Sequence, residues 1–384
     1  MTDDMPVFPT FAAPFHVGRP NIGDRARFLE LTQGILDRAW LTNYGPLVQA
    51  FEQRLAEYLG VRHCIVTANG TVALELAIRA LGLEGEVILP SLTFIATAHA
   101  LQWQGIRPVF CDIDPDTYNL DPAAVERHIT PRTSGLLGVH LYGRACDTDG
   151  LEAVARRHGL ALMFDAAHAF GCSHQGRMIG HFGACEVFSF HATKVFNSFE
   201  GGAVATNDDA LAGKIRLMQN FGFAGEDEVI YVGVNGKMPE ICAAMGLTNL
   251  DSLEGFIAIN RRNLEQYRAG LAGLPGIRVI QYPPAERNNY HYLILEVDEA
   301  RFGLSRDGLK ERLRQHHVLA RRYFYPGCHR MEPYRTLDPD AGLALPNTVA
   351  FSERVLALPT GTQVTPEQID AISAIIRAAP RWAG

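Results

Sequence analysis

Apolar residues recur at three- and four-residue spacing through Ile22–Trp40 and Leu47–Leu59, which predicts two amphipathic helices. The turn-forming Thr42-Asn43-Tyr44-Gly45-Pro46 separates them. The pattern then changes. Cys64–Ala68 is a short apolar run, followed by Asn69-Gly70-Thr71 and the helical stretch VALELAIRALGL. A strand, a tight turn and a helix in that order begin an α/β unit. Further strands are expected at Glu86–Leu89, Pro108–Asp112, Gly135–His140 and Ala161–Phe164. Helices at Ile95–Trp103, Pro122–His128 and Leu151–His158 are interleaved with them. These strands are continuous apolar runs rather than alternating ones, as expected where both faces of a parallel sheet are covered.

Beyond this region Pro239–Arg268 reads as one long helix. Strand-like runs (Tyr290–Val297, Val318–Tyr325) then alternate with amphipathic helices (Arg306–His316, Pro366–Ala378). The expectation is a large α/β domain with a mostly parallel sheet over residues 1–255, and a smaller C-terminal α+β domain over 256–384. No internal repeat or low-complexity tract interrupts the pattern.

Composition narrows the class. The chain has 384 residues, 47% hydrophobic and 20% charged, enough to bury a large core without a disulfide or metal staple. Its formal net charge of −7 disfavours sequence-independent binding to nucleic-acid phosphates. The seven cysteines are odd in number and contain no CxxC pair, which argues for reduced, buried thiols rather than disulfides or zinc. The start, MTDDMPVFPTFAAPFHVGRP, is acidic and broken by proline, unlike a signal peptide. No stretch reaches the ~18 apolar residues of a membrane span. A cytoplasmic protein without membrane or nucleic-acid partners is expected.

Three features of the large domain carry chemistry. Asn69-Gly70-Thr71 lies between a strand and a helix, where free N–H groups and a glycine make an anion site; read alone, it is an ordinary glycine turn. Asp165 follows the apolar run Ala161–Phe164, at the strand end where α/β ligands bind, though a cap for the next helix is the alternative role. Lys194 lies just past a further strand, Val187–His191, and before the pair Gly201-Gly202; a lone lysine there is ordinarily a solvated surface residue. Together the three match what pyridoxal 5'-phosphate (PLP) requires: a phosphate cradle, a carboxylate for the pyridine nitrogen and a Schiff-base lysine. Phe94, right after a strand, offers an aromatic face for the ring.

The segments NGTVAL (69–74), PSLTFIATAHA (90–100), DAAHAFG (165–171) and SFHATK (189–194) resemble those of the DegT/DnrJ/EryC1/StrS sugar aminotransferases. WLTNYGPLVQAFE (40–52) and GVNGKMPEICAAMGL (233–247) are similar to the same family, so the resemblance spans nearly the whole chain. It implies the fold type I of PLP-dependent transferases (aspartate aminotransferase-like), and a homodimer with shared active sites. The implied reaction converts a keto group on a nucleotide-linked sugar to an amine. Lys194 is then the Schiff-base lysine and proton shuttle, Asp165 the partner of the pyridine nitrogen, and Phe94 the stacking ring. Gly70, Thr71 and Ser189 are implied as phosphate ligands, and His168 takes a position held by Gln or His beside the ring. Asn235 is implied to reach the partner's phosphate. Lys237 stands where many relatives have Arg, keeping the charge but not the planar fork. Tyr325 and His329 fit a Tyr-Pro…His stretch that helps form the site in relatives, although YFY also reads as an alternating strand.

The family includes dehydratases with histidine at the lysine position, and Lys194 favours transamination. The expected substrate is a nucleotide-diphospho keto-deoxysugar, best matched by amination at C4 of dTDP-4-keto-6-deoxyglucose, with glutamate as amino donor. Action at C3 or on another nucleotide sugar, a PLP lyase or aldolase on an amino acid, and a non-catalytic sensor remain alternatives. Arg321-Arg322 is the candidate clamp for an amino-acid carboxylate.

Overall fold

The computed structural model describes residues 10–382. Seven strands form its central sheet: β1 (His63–Thr67), β2 (Glu86–Pro90), β3 (Arg107–Cys111), β4 (Thr133–Val139), β5 (Ala161–Asp165), β6 (Cys185–Ser189) and β7 (Gly202–Thr206). Their spatial order is β1-β7-β6-β5-β4-β2-β3. All neighbours run parallel except β7, which is antiparallel to both β1 and β6. β7 is the strand the apolar pattern missed: GGAVAT is short and begins with the two glycines. The helix Asp209–Met218 that follows it also went unread.

Helices cover both faces, which is why β2 and β7 are buried at every position. The expected helices appear as α1 (Arg25–Arg38), α2 (Pro46–Leu59), α3 (Gly70–Ala80) and α4 (Ile95–Gln102). The run expected as a helix over Pro122–His128 is one turn of α-helix and one of 3-10 helix. No side chain of its own caps α2, which starts at Gly45-Pro46. Instead the buried Glu240 carboxylate accepts from Leu47 N at 3.0 Å and Val48 N at 2.8 Å. A carboxylate at a helix N-terminus meets both orphan donors and the positive end of the dipole.

That glutamate opens α5 (Glu240–Gly270), 31 residues long. The boundary expected at residue 255 falls inside this helix, so one continuous element crosses it. Beyond it β8 (Ile277–Val279), β9 (Leu293–Val297) and β10 (Val355–Leu358) form an antiparallel sheet with β9 in the middle. Its core joins Leu264 and Tyr267 of α5 to Ile369, Ile372 and Ile376 of the helix Pro366–Ala378. The N-terminal pair Phe15–His16 runs parallel to Val318–Leu319, so the start of the described chain packs with its C-terminal part.

Val318–Tyr325, expected as a strand, is one only at Val318–Leu319. Past it the backbone turns: Tyr325 N donates to Arg322 O, and Gly327 N to Phe324 O at 3.0 Å. Pro326 has no N–H to give a ladder, and Gly327 sits at φ 87°, which a strand does not allow.

Candidate active site

A cleft of about 590 Å³ opens at the C-terminal ends of the parallel strands, where open α/β sheets bind ligands. Gly70, Thr71, Phe94, Asp165, His168, Ser189 and Lys194 all line it. Residues far apart in sequence meet because each lies at or just past a strand end: β1 leads to Gly70, β2 to Phe94, β5 to Asp165, and β6 to Ser189 and Lys194.

One end of the cleft is the start of α3. The Asn69 side chain accepts from Val72 N at 2.9 Å and its carbonyl from Ala73 N at 3.1 Å. The first two N–H groups of the helix, those of Gly70 and Thr71, have no partner among the described residues and could take an anion. The backbone is packed so closely here that side chains are excluded. A Cβ on Gly70 would lie 2.9 Å from Ser189 Cβ, and one on Gly202 would lie 2.6 Å from Asn69 O.

At the other end Asp165 is buried, with both oxygens engaged. Thr97 Oγ1 donates to Oδ2 at 2.8 Å and Ala167 N to Oδ1 at 3.0 Å. Thr97 is held in turn by Thr93, Oγ1 to Oγ1 at 2.8 Å. Burial pushes the Asp165 carboxyl up, while the two donors and the nearby Lys194 charge pull it down. The Lys194 amine donates to the Tyr292 hydroxyl at 3.2 Å. Burial lowers its pKa to about 8, against the pull of the Asp165 carboxylate. At neutral pH an amine with that pKa is far more often uncharged, and so free to attack or take a proton, than an ordinary lysine.

His168 lies over the ring of Tyr292 with centroids 4.1 Å apart. Tyr142 N donates to its Nδ1 at 3.2 Å, so Nε2 carries the hydrogen. Burial, then the Lys194 charge, holds this imidazole neutral, well below its ordinary pKa. Phe94 is 57% exposed at the mouth, its ring 6.2 Å from that of Phe324.

The other expected residues lie elsewhere in this chain. Asn235 is exposed and does not line the cleft. Its loop is nonetheless pinned within its own chain: Ala68 N donates to Gly236 O and Gly236 N to Gln219 O. Lys237 faces a separate cavity of about 550 Å³, where its Nζ donates to Asn220 Oδ1 at 2.9 Å above the Phe221 ring. Tyr325 lies outside the cleft, with the guanidinium groups of Arg306 and Arg322 4.8 and 4.3 Å from its ring centroid. His329 is buried against Ser91, Nδ1 to Oγ at 2.7 Å. Instead Arg321, Tyr323 and Phe324, from the same segment, line the cleft. The pattern YFY could not say which of its rings points inward, because the backbone turns there.

Thr97, His291 and Tyr292 went unnoticed in the sequence. Thr97 had a faint signal in its i, i+4 spacing from Thr93 beside a strand end. His291 and Tyr292 had none, since they come from the lead-in to β9, some hundred residues past Lys194.

Residues 23–377 match the DegT/DnrJ/EryC1/StrS aminotransferase family. The chain is 37% identical over 363 residues to the dTDP-4-amino-4,6-dideoxy-D-glucose transaminase of Escherichia coli, covering 94% of this chain and 97% of that protein. It is 38% identical over 347 residues to the GDP-perosamine synthase of Caulobacter vibrioides, covering 89% and 92%. Among solved structures, DesI in the presence of its TDP-sugar product aligns with a TM-score of 0.92 and 51% identity, over 97% of this chain and 95% of that one. Helicobacter pylori PseC, an aminotransferase involved in pseudoaminic acid biosynthesis, aligns at 0.88 with 26% identity, over 96% and 99%. With a match this continuous, and the motif residues converging at the strand ends of a fold-type-I architecture, the chain belongs to the DegT/DnrJ/EryC1/StrS family of aminotransferases.

Proposed function

We propose that the chain uses PLP to aminate C4 of dTDP-4-keto-6-deoxyglucose, or a close nucleotide-linked keto-deoxysugar, with glutamate as donor. The observation that carries this reading is the convergence of the Lys194 amine, the Asp165 carboxylate and the start of α3 on one cleft. These residues fit the cofactor. The N–H groups of Gly70 and Thr71, with the Ser189 hydroxyl, would take its phosphate, in a cradle too tight for a Cβ. Asp165, braced by Thr97 and Ala167, would keep the ring nitrogen protonated. Bound there, PLP supplies a sink for the electron pair released at the reacting carbon.

The chain's own residues do the rest. Lys194, with its depressed pKa, takes the proton from one carbon and returns it to another. Neutral His168 and Phe94, both lining the cleft, would hold the ring between them without adding charge. Both proposed substrates are anionic, and Arg321 lines the cleft with its guanidinium 5.9 Å from the Tyr323 ring. That suits a carboxylate of the donor. The choice of a C4 keto group and a dTDP carrier follows the relatives at 37% and 51% identity.

A homodimer is part of the proposal. Leu29, Leu36, Trp40 and Leu41, with Phe221, Val232 and Val234, are large apolar side chains left exposed. So many are what a protein interface presents. Asn235, exposed and not lining its own cleft, suits a role at the partner's phosphate.

The test is to supply purified protein with glutamate and a panel of 3-keto and 4-keto sugars on dTDP and GDP, reading products by mass spectrometry and NMR. The 4-amino product from dTDP-4-keto-6-deoxyglucose is expected to dominate. Amination at C3, preference for GDP, or no transfer from glutamate would overturn the corresponding part.

A further inference from the structure

His291 and Tyr292, consecutive residues on the lead-in to β9, both reach the lysine segment. His291 Nε2 contacts Thr193 O at 2.8 Å, and Tyr292 Oη accepts from Lys194 Nζ at 3.2 Å. We propose that they form a two-point clamp on Lys194, one holding the peptide before it and the other its amine, so that the lysine keeps its proton-transfer position whenever its amine is free. The inference rests on the reading of Lys194 as the proton-transferring group. Transamination needs such a device. The lysine is released from the cofactor in each half-reaction, and a free lysine side chain has many rotamers.

The geometry settles the state of the histidine. A carbonyl oxygen only accepts, so Nε2 carries the hydrogen and Nδ1 is a bare lone pair. Nδ1 is buried and has no partner among the described residues. Burial lowers this ring's pKa to about 4, so the clamp adds no positive charge beside the lysine. The titratable groups around the amine are therefore Asp165, the neutral His168 and His291, and the Tyr292 phenol, which burial raises well above its ordinary pKa.

The clamp is itself anchored to the loop that follows Asp165. His291 N donates to Asn289 Oδ1 at 3.0 Å, while Asn289 Nδ2 donates to His168 O at 2.8 Å and Phe170 O at 3.0 Å. A single short segment thus ties the lysine to the loop after β5. Both residues are positioning residues for Lys194.

Three variants test it. Tyr292→Phe keeps the ring against His168 and deletes only the hydroxyl. Its kcat should fall about tenfold with KM for the sugar nucleotide little changed, since the amine loses its hold but the substrate contacts stay. In the full-length protein freed of cofactor, the pH midpoint for acylation of Lys194, read by peptide mass spectrometry, should move down. Removing an acceptor from the charged amine, and leaving an apolar edge, favours the neutral form. A purely structural role would shift the melting temperature and leave that midpoint in place. A Tyr292→Phe midpoint equal to wild type overturns the tyrosine's part at any level of activity.

For the histidine, His291→Gln can still donate to Thr193 O and His291→Phe cannot. The glutamine variant should keep several-fold more kcat than the phenylalanine one, and equal rates overturn the histidine's part. If wild-type protein transfers no amino group at all, the proposed function fails, while the acylation midpoint still decides the Tyr292 contact.

Discussion

Gly202→Ala is the most direct probe of the phosphate cradle. Gly202 opens β7 and sits between Thr67 and Ser189 in the sheet. A Cβ there would stand 2.6 Å from Asn69 O and 2.7 Å from Gly70 N. Both are backbone atoms at the start of α3, so no flexible side chain can swing aside. Restoring ordinary contact means that the start of the helix retreats by roughly 0.8 Å, and such overpacking costs about 1–3 kcal/mol. The same retreat draws the Gly70 N–H away from the anion it would hold. A charge-assisted hydrogen bond contributes about 1.5–3 kcal/mol, so losing one should weaken PLP binding about 10- to 100-fold. The assay is titration of the cofactor-free variant with PLP, followed by absorbance, alongside a thermal melt without cofactor. Gly213→Ala is the control. It lies in the helix Asp209–Met218 with nothing within 4 Å of its would-be Cβ. It should stabilise by about 0.5–1 kcal/mol and leave PLP affinity unchanged. If Gly202→Ala melts lower as expected yet binds PLP within about twofold of wild type, the phosphate is not held at Gly70 and the cradle argument is wrong.

Asp165→Asn should react at least about a thousandfold more slowly, because the amide cannot hold a protonated ring nitrogen and turns its N–H toward Thr97 or Ala167, which are already donors. Its rate should recover with a cofactor analogue carrying a permanent positive charge at that nitrogen. The rate at which cofactor-free protein captures PLP should rise with pH and level off above about 8, because the neutral amine reacts and the Lys194 pKa is lowered to that value. A rise continuing toward the ordinary lysine range of 10.5 would contradict the burial argument. Mixing inactive Lys194→Ala and Asn235→Asp subunits should restore activity if sites are shared. Continued inactivity after demonstrated subunit exchange would place each site within one chain.

The sequence alone determined the α/β order, because unbroken apolar runs and three-to-four spacing are local consequences of burial on both faces of a sheet. It also placed Gly70, Phe94, Asp165, Ser189 and Lys194 at strand ends, and strand ends of a parallel sheet share one edge, so their convergence followed from topology. Only the tertiary structure decided the rest. The antiparallel insertion of β7 between β1 and β6 is a pairing choice, and a five-residue run beginning with glycine carries no record of its partners. Which of Tyr323, Phe324 and Tyr325 faces the cleft depended on a turn set by Pro326 and Gly327, not on alternation. The contacts of His291 and Tyr292 with the lysine segment span 98 positions. No periodicity reports a contact at that separation, because it exists only once β9 packs against the end of the large sheet.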